Sequence, residues 1–233
     1  MNTATIIAGS LLGVFFGRHL SDKVRDTIVT GLGLFTLGYG IMTFLDSKNP
    51  LIPLGGLLVG ALIGEWWKIE ECMNKLGQIL RGAILKKETA QKHQAHFVEG
   101  FVTASLVFII GPMAILGSVQ NGLTGNYEML AIKSILDGFA SIAFASSLGI
   151  GVVFSALSIL IYQGSITLLS RYFSQIFSDA MITEMTAVGG LVLMAIAISS
   201  LLSIKKIRTG SFLPALLVTP LIVFLLEHFF GGY

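Results

Sequence analysis

Two opposite charges lie in the middle of an otherwise apolar stretch of this chain. Lys133 and Asp137 are four residues apart within the segment from Glu128 to Leu148, so in a helix they share one face. A charged side chain at the centre of a membrane helix costs about 2.5–3.5 kcal/mol on insertion scales, and such residues usually face protein or water. There a carboxylate can bind a cation or carry a proton, with the lysine as its counter-charge. An ion pair that only fixes the register of the helix is the alternative.

Other polar residues recur at helical spacing near this pair. Ser141 lies one further turn along the same face, and Gln163 and Thr167 share a face of the following apolar segment. We expect these side chains to form one polar site near the membrane midplane, with Asp137 as the ligand for a cation or a proton.

The apolar segment before the charged pair is interrupted. Gly111 and Pro112 predict a kink or a break, because proline removes a backbone donor and clashes with the preceding turn. The uncharged stretch from Gly117 to Asn126 is rich in glycine and amides, and it predicts a loop that either reaches membrane depth or is an ordinary external loop. In the first case three polar residues line an entrance or a coordination site: Ser118, Gln120 and Asn121.

Composition indicates a polytopic membrane protein. Of the 233 residues, 54% are hydrophobic and 12% are charged, whereas soluble domains carry about 25% charge. The net charge of +2 comes without a concentrated basic tail, so we expect no nucleic-acid partner. His93 and His96 have no cluster of cysteine or carboxylate beside them, and enzyme motifs are lacking. We therefore expect no enzyme activity, no metal site and no cofactor.

Eight apolar segments predict an all-α bundle that forms a single transmembrane domain over residues 1–233. The stretch from Asn126 to Phe173 would make a helix of roughly 70 Å, so it must fold back near Ser147 to Gly151. The predicted spans are Thr3 to Leu20, Thr27 to Leu45, Leu51 to Trp67, Phe97 to Gly117, Glu128 to Leu148, Gly149 to Ser170, Glu184 to Ile204 and Ser211 to Phe230.

Basic residues predict the orientation of these spans. They follow the first span, cluster between residues 67 and 96, and return at Lys205, Lys206 and Arg208. The positive-inside rule makes these segments cytoplasmic and places both termini outside. Residues 67–96 also carry apolar side chains at helical spacing, which indicates an amphipathic connector along the inner membrane surface.

Two further patterns concern the helices themselves. Residues 30–65 align with residues 188–223 as two helix–turn–helix units of opposite predicted orientation, which indicates an inverted repeat around a central helix pair. Glycines at i, i+4 spacing, Gly9 to Gly17 and Gly56 to Gly64, form flat faces that either pack within the chain or allow a homodimer.

Two long runs carry a resemblance to a known family. GPMAILGSVQNGLTGN and IKSILDGFASIAFASSLGIGVVFSALSILIYQGSITLL resemble hallmark stretches of an uncharacterised family of bacterial membrane proteins, the one that contains YdfK and YqgA. The resemblance covers nearly the whole chain. It implies a multi-pass protein of the bacterial inner membrane, often described as a transporter, without an established substrate.

A shorter likeness concerns Asp137 alone. The stretch LDGFAS from Leu136 to Ser141 is similar to the aspartate-centred helix motif of manganese exporters of the lysine-exporter superfamily, which implies a metal-associated role for Asp137. A second acidic motif of that kind does not occur in the other half of the sequence.

Together these features predict a membrane transporter of a small ion or solute, with a midplane site around Asp137 and Lys133. One alternative is an ion channel whose pore is lined by the loop from Gly117 to Asn126. Another is a scaffold or sensor that transports nothing and has a dry core around Asp137.

Overall fold

The computed structural model describes residues 1–17, 19–84 and 91–230, and every regular element within these ranges is a helix. This confirms the predicted all-α class. The α-helices are α1 (Asn2–Gly17), α2 (Asp22–Leu45), α3 (Leu51–Trp66), α4 (Ile69–Ile84), α5 (Gln91–Ile109), α6 (Pro112–Thr124), α7 (Glu128–Leu148), α8 (Gly151–Leu168), α9 (Ser170–Ile176), α10 (Asp179–Ile196) and α11 (Ala215–Phe230). A π-helical segment, Ala197–Leu201, continues α10, and a 3-10 turn, Thr209–Phe212, precedes α11.

Five of the helical segments are long and apolar enough to cross a membrane. The bent pair of α5 and α6 makes a sixth if it counts as one span. Two more apolar helices, α1 and α3, have 16 residues each. At 1.5 Å per residue they are about 24 Å long, somewhat less than the hydrocarbon thickness of about 30 Å. The count of eight spans therefore stays a prediction.

Helix ends lie where local chemistry requires them. Ser21 and Ser178 cap α2 and α10 by accepting hydrogen bonds from the backbone N–H groups of Val24 and Met181. Gly149, with a φ of +82°, ends α7 two residues before α8 begins. The predicted hairpin near residues 147–151 is thus confirmed.

The predicted break at Gly111 and Pro112 is also confirmed. Gly111 has a φ of +139°, Pro112 opens α6, and the two helices meet at a bend of 61°. The loop predicted from Gly117 to Asn126, however, is wrong: residues 117–124 belong to α6. Proline at the first helical position needs no N–H partner, so the same residue that ends α5 starts a new helix, which continues until Gly125 takes a left-handed conformation.

Both glycine faces are used inside the chain. A Cβ at Gly9, Gly13 or Gly17 would collide with successive backbone carbonyls of α7, which shows that α1 and α7 run parallel in close contact. Gly56, Gly60 and Gly64 meet Thr219, Ala215 and Ser211 in that order, so α3 and α11 are antiparallel. Of the two alternatives for these faces, packing within the chain is the one observed, and a homodimer stays a prediction without these faces to support it.

The helices matched by the predicted repeat pack on one another. Gly40 contacts Gly190 and Met194, while Gly33 contacts Leu202, so α2 and α10 are antiparallel, as α3 and α11 are. Antiparallel packing of corresponding helices is what two units of opposite orientation require. The repeat itself remains a prediction.

A buried carboxylate joins these two hairpins. Glu184 of α10 is fully buried and accepts hydrogen bonds from the Ser47 hydroxyl at 2.6 Å and from the backbone N–H groups of Lys48 and Asn49 at 2.8 and 3.3 Å. These donors form the turn between α2 and α3. The carboxylate thereby holds that turn against α10.

Two of the three basic regions of the sequence lie at one end of the bundle. Arg208 forms an ion pair of 2.6 Å with Glu65 at the end of α3, and the backbone N–H of Gly210 donates to Glu70 of α4 at 2.7 Å. This common end is what the predicted topology requires. Helix α4 occupies the first part of the predicted connector 67–96, and the side chains of residues 81–96, including His93 and His96, lie outside the described part.

Close helix contact at glycine yields a stability prediction. A Cβ at Gly60 would lie 2.5 Å from the Cα of Ala215, so Gly60→Ala forces the backbones of α3 and α11 apart. We expect a loss of about 1–3 kcal/mol in the free energy of unfolding, as for other overpacked sites. The thermal unfolding midpoint in detergent measures it.

Gly31→Ala is the matched control, because nothing lies within 4 Å of a Cβ at Gly31 in α2. That change replaces glycine by a better helix former and should leave the midpoint unchanged or raise it. Equal effects of the two substitutions would contradict the packing argument.

Candidate solute site

The ion pair lies near the middle of α7 and is buried. Lys133 Nζ is 2.5 Å from Asp137 Oδ1, and the two residues are 8% and 4% exposed. Asp137 is ten residues into a helix of 21, so it lies about 14 Å from the start of α7. The ammonium group also lies 6.0 Å from the centre of the Phe108 ring, close enough for a cation–π contact.

A residue that sequence reasoning missed completes the site. Asn2, in the first turn of α1, donates from Nδ2 to Asp137 Oδ2 at 2.9 Å and to Gln163 Oε1 of α8 at 3.2 Å. The parallel packing of α1 on α7 places Asn2 at this depth. Its one sequence signal is an amide directly before an apolar run, which by itself predicts only a helix start. We call Asn2, Lys133, Asp137 and Gln163 the polar network.

Two atoms of the polar network lack a partner. Asn2 Oδ1, an acceptor, and Gln163 Nε2, a donor, are buried without a hydrogen bond, although their residues are only 4% and 8% exposed. More than nine-tenths of buried polar groups in proteins are satisfied, and an unpaired one costs about 1–3 kcal/mol. The network therefore keeps one donor and one acceptor free for a further hydrogen-bond partner.

Residues of the polar network line two separate cavities. The first, which we call the amide cavity, has a volume of about 330 Å³ and is lined by Asn2, Gln163, Thr167 and Asn121, with apolar residues between them. Tyr127, at the start of α7, also lines it. This cavity therefore runs from the beginning of α7 to the amides of the network.

The second, which we call the apolar cavity, has a volume of about 340 Å³ and is lined by both charged residues of the network. Its remaining lining is mostly aliphatic and aromatic, with Thr36 and Tyr39 of α2 as the polar exceptions. Gly111, at the break between α5 and α6, also lines it. The hydrogen bond from Asn2 to Asp137 thus joins the linings of the two cavities.

The structure brings together most of the predicted site. Asp137, Lys133 and Gln163 share the network, while Thr167 and Asn121 line the amide cavity beside Gln163. These residues come from three different helices, α6, α7 and α8.

Three predicted residues are not part of it. Ser141 lies against Gly9 and donates to the Gly138 carbonyl at 2.8 Å, because α1 covers that turn of α7. Ser118 donates to the carbonyl of Ala114 inside α6, and Gln120 lines neither cavity. The structure therefore places these three outside the network and both cavities: Ser118 and Gln120 because their predicted loop is a helix, and Ser141 because α1 packs on it.

Asp137 has Lys133 and Asn2 as hydrogen-bond partners, and within residues 1–17, 19–84 and 91–230 no three His, Cys, Asp or Glu side chains converge. Manganese-type ligation around Asp137 thus lacks further carboxylates among the described residues. What the network offers instead is hydrogen bonding around a neutralised pair of charges.

The burial of the pair predicts a large coupling between its members. Lys133→Met or Asp137→Leu alone leaves one charge buried without its partner, which we expect to cost about 3–5 kcal/mol of unfolding free energy. The double substitution leaves no charge and should recover most of that loss. Denaturation of the three variants in detergent gives the coupling energy.

Arg208→Met is the comparison, since it breaks an ion pair whose side chains are 48% and 46% exposed and should cost at most about 1 kcal/mol. If the single substitutions at residues 133 and 137 lowered the free energy of unfolding no more than Arg208→Met does, the energetic argument for a buried pair would be contradicted.

Comparison with known proteins identifies the family. Residues 1–224 match the family described as "Protein of unknown function (DUF554)". The chain is 34% identical over 234 residues to the uncharacterized membrane protein YdfK of Bacillus subtilis (strain 168), covering 99% of this chain and 96% of the relative. It is 30% identical over 224 residues to the uncharacterized protein YqgA of Escherichia coli (strain K12), covering 94% and 92%. No solved structure matches. With its helical spans and these relatives, the chain is a membrane protein and belongs to the DUF554 family.

Proposed function

We propose that this protein moves a small ion or solute across the bacterial inner membrane through the polar network. One observation supports the proposal most: a buried ion pair in the middle of a membrane helix lines one cavity and is hydrogen-bonded to Asn2, which lines a second. Secondary transporters bind their substrates at such midplane sites, between helices of which some are broken.

The energetics of the pair favour a functional role over a structural one. Burying two charges costs several kcal/mol of desolvation each, and their mutual attraction seldom exceeds that cost. An apolar pair of the same volume would hold α7 as well or better. Ionisable groups at this depth accordingly mark ion and solute pathways by default.

The rival functions have less support. A channel lined by a loop from Gly117 to Asn126 loses its basis, because residues 117–124 form a helix whose glycines pack on neighbouring helices. A scaffold or sensor predicts a dry core around Asp137, whereas the cavity lined by its hydrogen-bond partner Asn2 also carries Asn121, Gln163 and Thr167, polar groups that favour hydration.

The orientation belongs to the same proposal. Arg208 and the segment after α3 share one end of the bundle, and the positive-inside rule makes that end cytoplasmic. Eight crossings then place both termini outside. In this arrangement the amide cavity, which begins beside Tyr127, faces the external side.

A flux assay tests the proposal. Purified protein in liposomes is exposed to gradients of potassium chloride, sodium chloride, urea and glycerol, and uptake is followed by stopped-flow light scattering. We expect at least one solute to enter faster than into liposomes without protein. Asp137→Asn should lower that excess rate by about tenfold or more, because a hydrogen bond to a charged group is worth roughly 1.5–3 kcal/mol.

Asp26→Asn, at an exposed position of α2, is the matched control and should leave the rate unchanged. If Asp137→Asn fails to fold, the doubly neutral Lys133→Met, Asp137→Leu protein serves in its place and is expected to be folded but inactive. An unchanged flux of every solute in a folded Asp137 variant would reject the proposal.

A further inference from the structure

We infer that the transported molecule is small and carries no net charge, and that it binds through a paired hydrogen-bond donor and acceptor, as a simple amide or alcohol does. This inference rests on the proposed function and names its substrate class. It follows from the charges, the unpaired atoms and the linings of the two cavities.

The charged side chains of the site cancel. Lys133 and Asp137 neutralise each other at 2.5 Å, and in the described linings of both cavities no further charged side chain is present. A cation that binds Asp137 must displace Lys133 or lie beside it, which leaves one positive charge buried without compensation. An anion bound at Lys133 would leave the negative charge of Asp137 buried without compensation. A molecule without net charge avoids both costs.

The unpaired atoms define what the molecule must offer. Asn2 Oδ1 accepts and Gln163 Nε2 donates, and both are buried beside the hydrogen bond that links their residues. A primary amide or a hydroxyl group presents a donor and an acceptor in one functional group. Such a group carries a partner for each of the two atoms, whereas a monatomic cation can coordinate the carbonyl oxygen but leaves the N–H without an acceptor.

The lining of the apolar cavity also favours an uncharged molecule over an ion. Phe108, Leu136 and Phe144 line it, with Thr36 and Tyr39 as its hydroxyl groups. An ion that left the network in this direction would lose its hydration with little in return, while a molecule with a short apolar body would lose much less. Both cavities, at about 330 and 340 Å³, are within the size range of small-ligand sites.

The experiment compares solutes and a nearly isosteric variant in the same liposomes. Acetamide, urea and glycerol are the uncharged probes, and sodium chloride and potassium chloride are the ionic ones. We expect wild-type protein to accelerate uptake of at least one uncharged probe and neither salt, with a rate that does not respond to an imposed membrane potential. Gln163→Met, which removes both polar atoms at similar volume, should slow the uncharged probe by about two- to tenfold.

Gln175→Met is the matched control, because Gln175 is exposed on α9 and lines neither cavity. Asn2→Leu, similar in shape, gives a second test should the Gln163 variant not fold, and size-exclusion chromatography reports folding of each protein. A slowed uncharged flux in either variant, with an unchanged control, supports the inference.

The remaining outcomes separate this inference from the proposed function. Protein-dependent uptake of a salt, or a current that responds to voltage, overturns the substrate class while transport itself stands. An uncharged flux that Gln163→Met and Asn2→Leu both leave unchanged overturns the role of the unpaired atoms. No protein-dependent flux of any probe overturns both.

Discussion

The cost of holding Lys133 and Asp137 away from water determines much of this structure. Two charges in an apolar interior need hydrogen bonds beyond their own contact, and α7 alone cannot supply them. Asn2 supplies one from α1, and Gln163 holds Asn2 from α8. The three helices must therefore meet at one depth, which makes their packing a condition of keeping the pair.

Glycine makes that meeting possible. Hydrophobic burial does not drive helices together within lipid, so close backbone contact has to provide the attraction. Gly9, Gly13 and Gly17 let α1 lie directly on the carbonyls of α7. The result is a firm contact between α1 and α7 on one side of the network and, on the other, a cavity beside the broken pair α5 and α6.

The sequence predicts what depends on local chemistry. The all-helical class, the break at Gly111 and Pro112 and the hairpin near Gly149 follow from hydropathy, proline and glycine, and Lys133 and Asp137 stand out because charge is rare in such segments. The role of Asn2 in the network and the helical conformation of residues 117–124 do not follow from the local sequence. The first depends on which helix covers α7, and the second on whether proline ends a helix or begins the next one, which nearest neighbours along the chain leave open.

The direction of packing bears on how many times the chain crosses the membrane. Helices α1 and α7 run parallel, so an odd number of crossings must lie between them. Suppose that α2 and α3 each cross the membrane and that the broken pair α5 and α6 returns to the side on which it began. The number of crossings between α1 and α7 would then be even. The bend of 61° between α5 and α6 is far from a reversal, so α6 continues toward the side that α5 approaches. Packing and bend thus support one crossing by the pair, and with α1 and α3 as short spans they agree with the eight that hydropathy predicts.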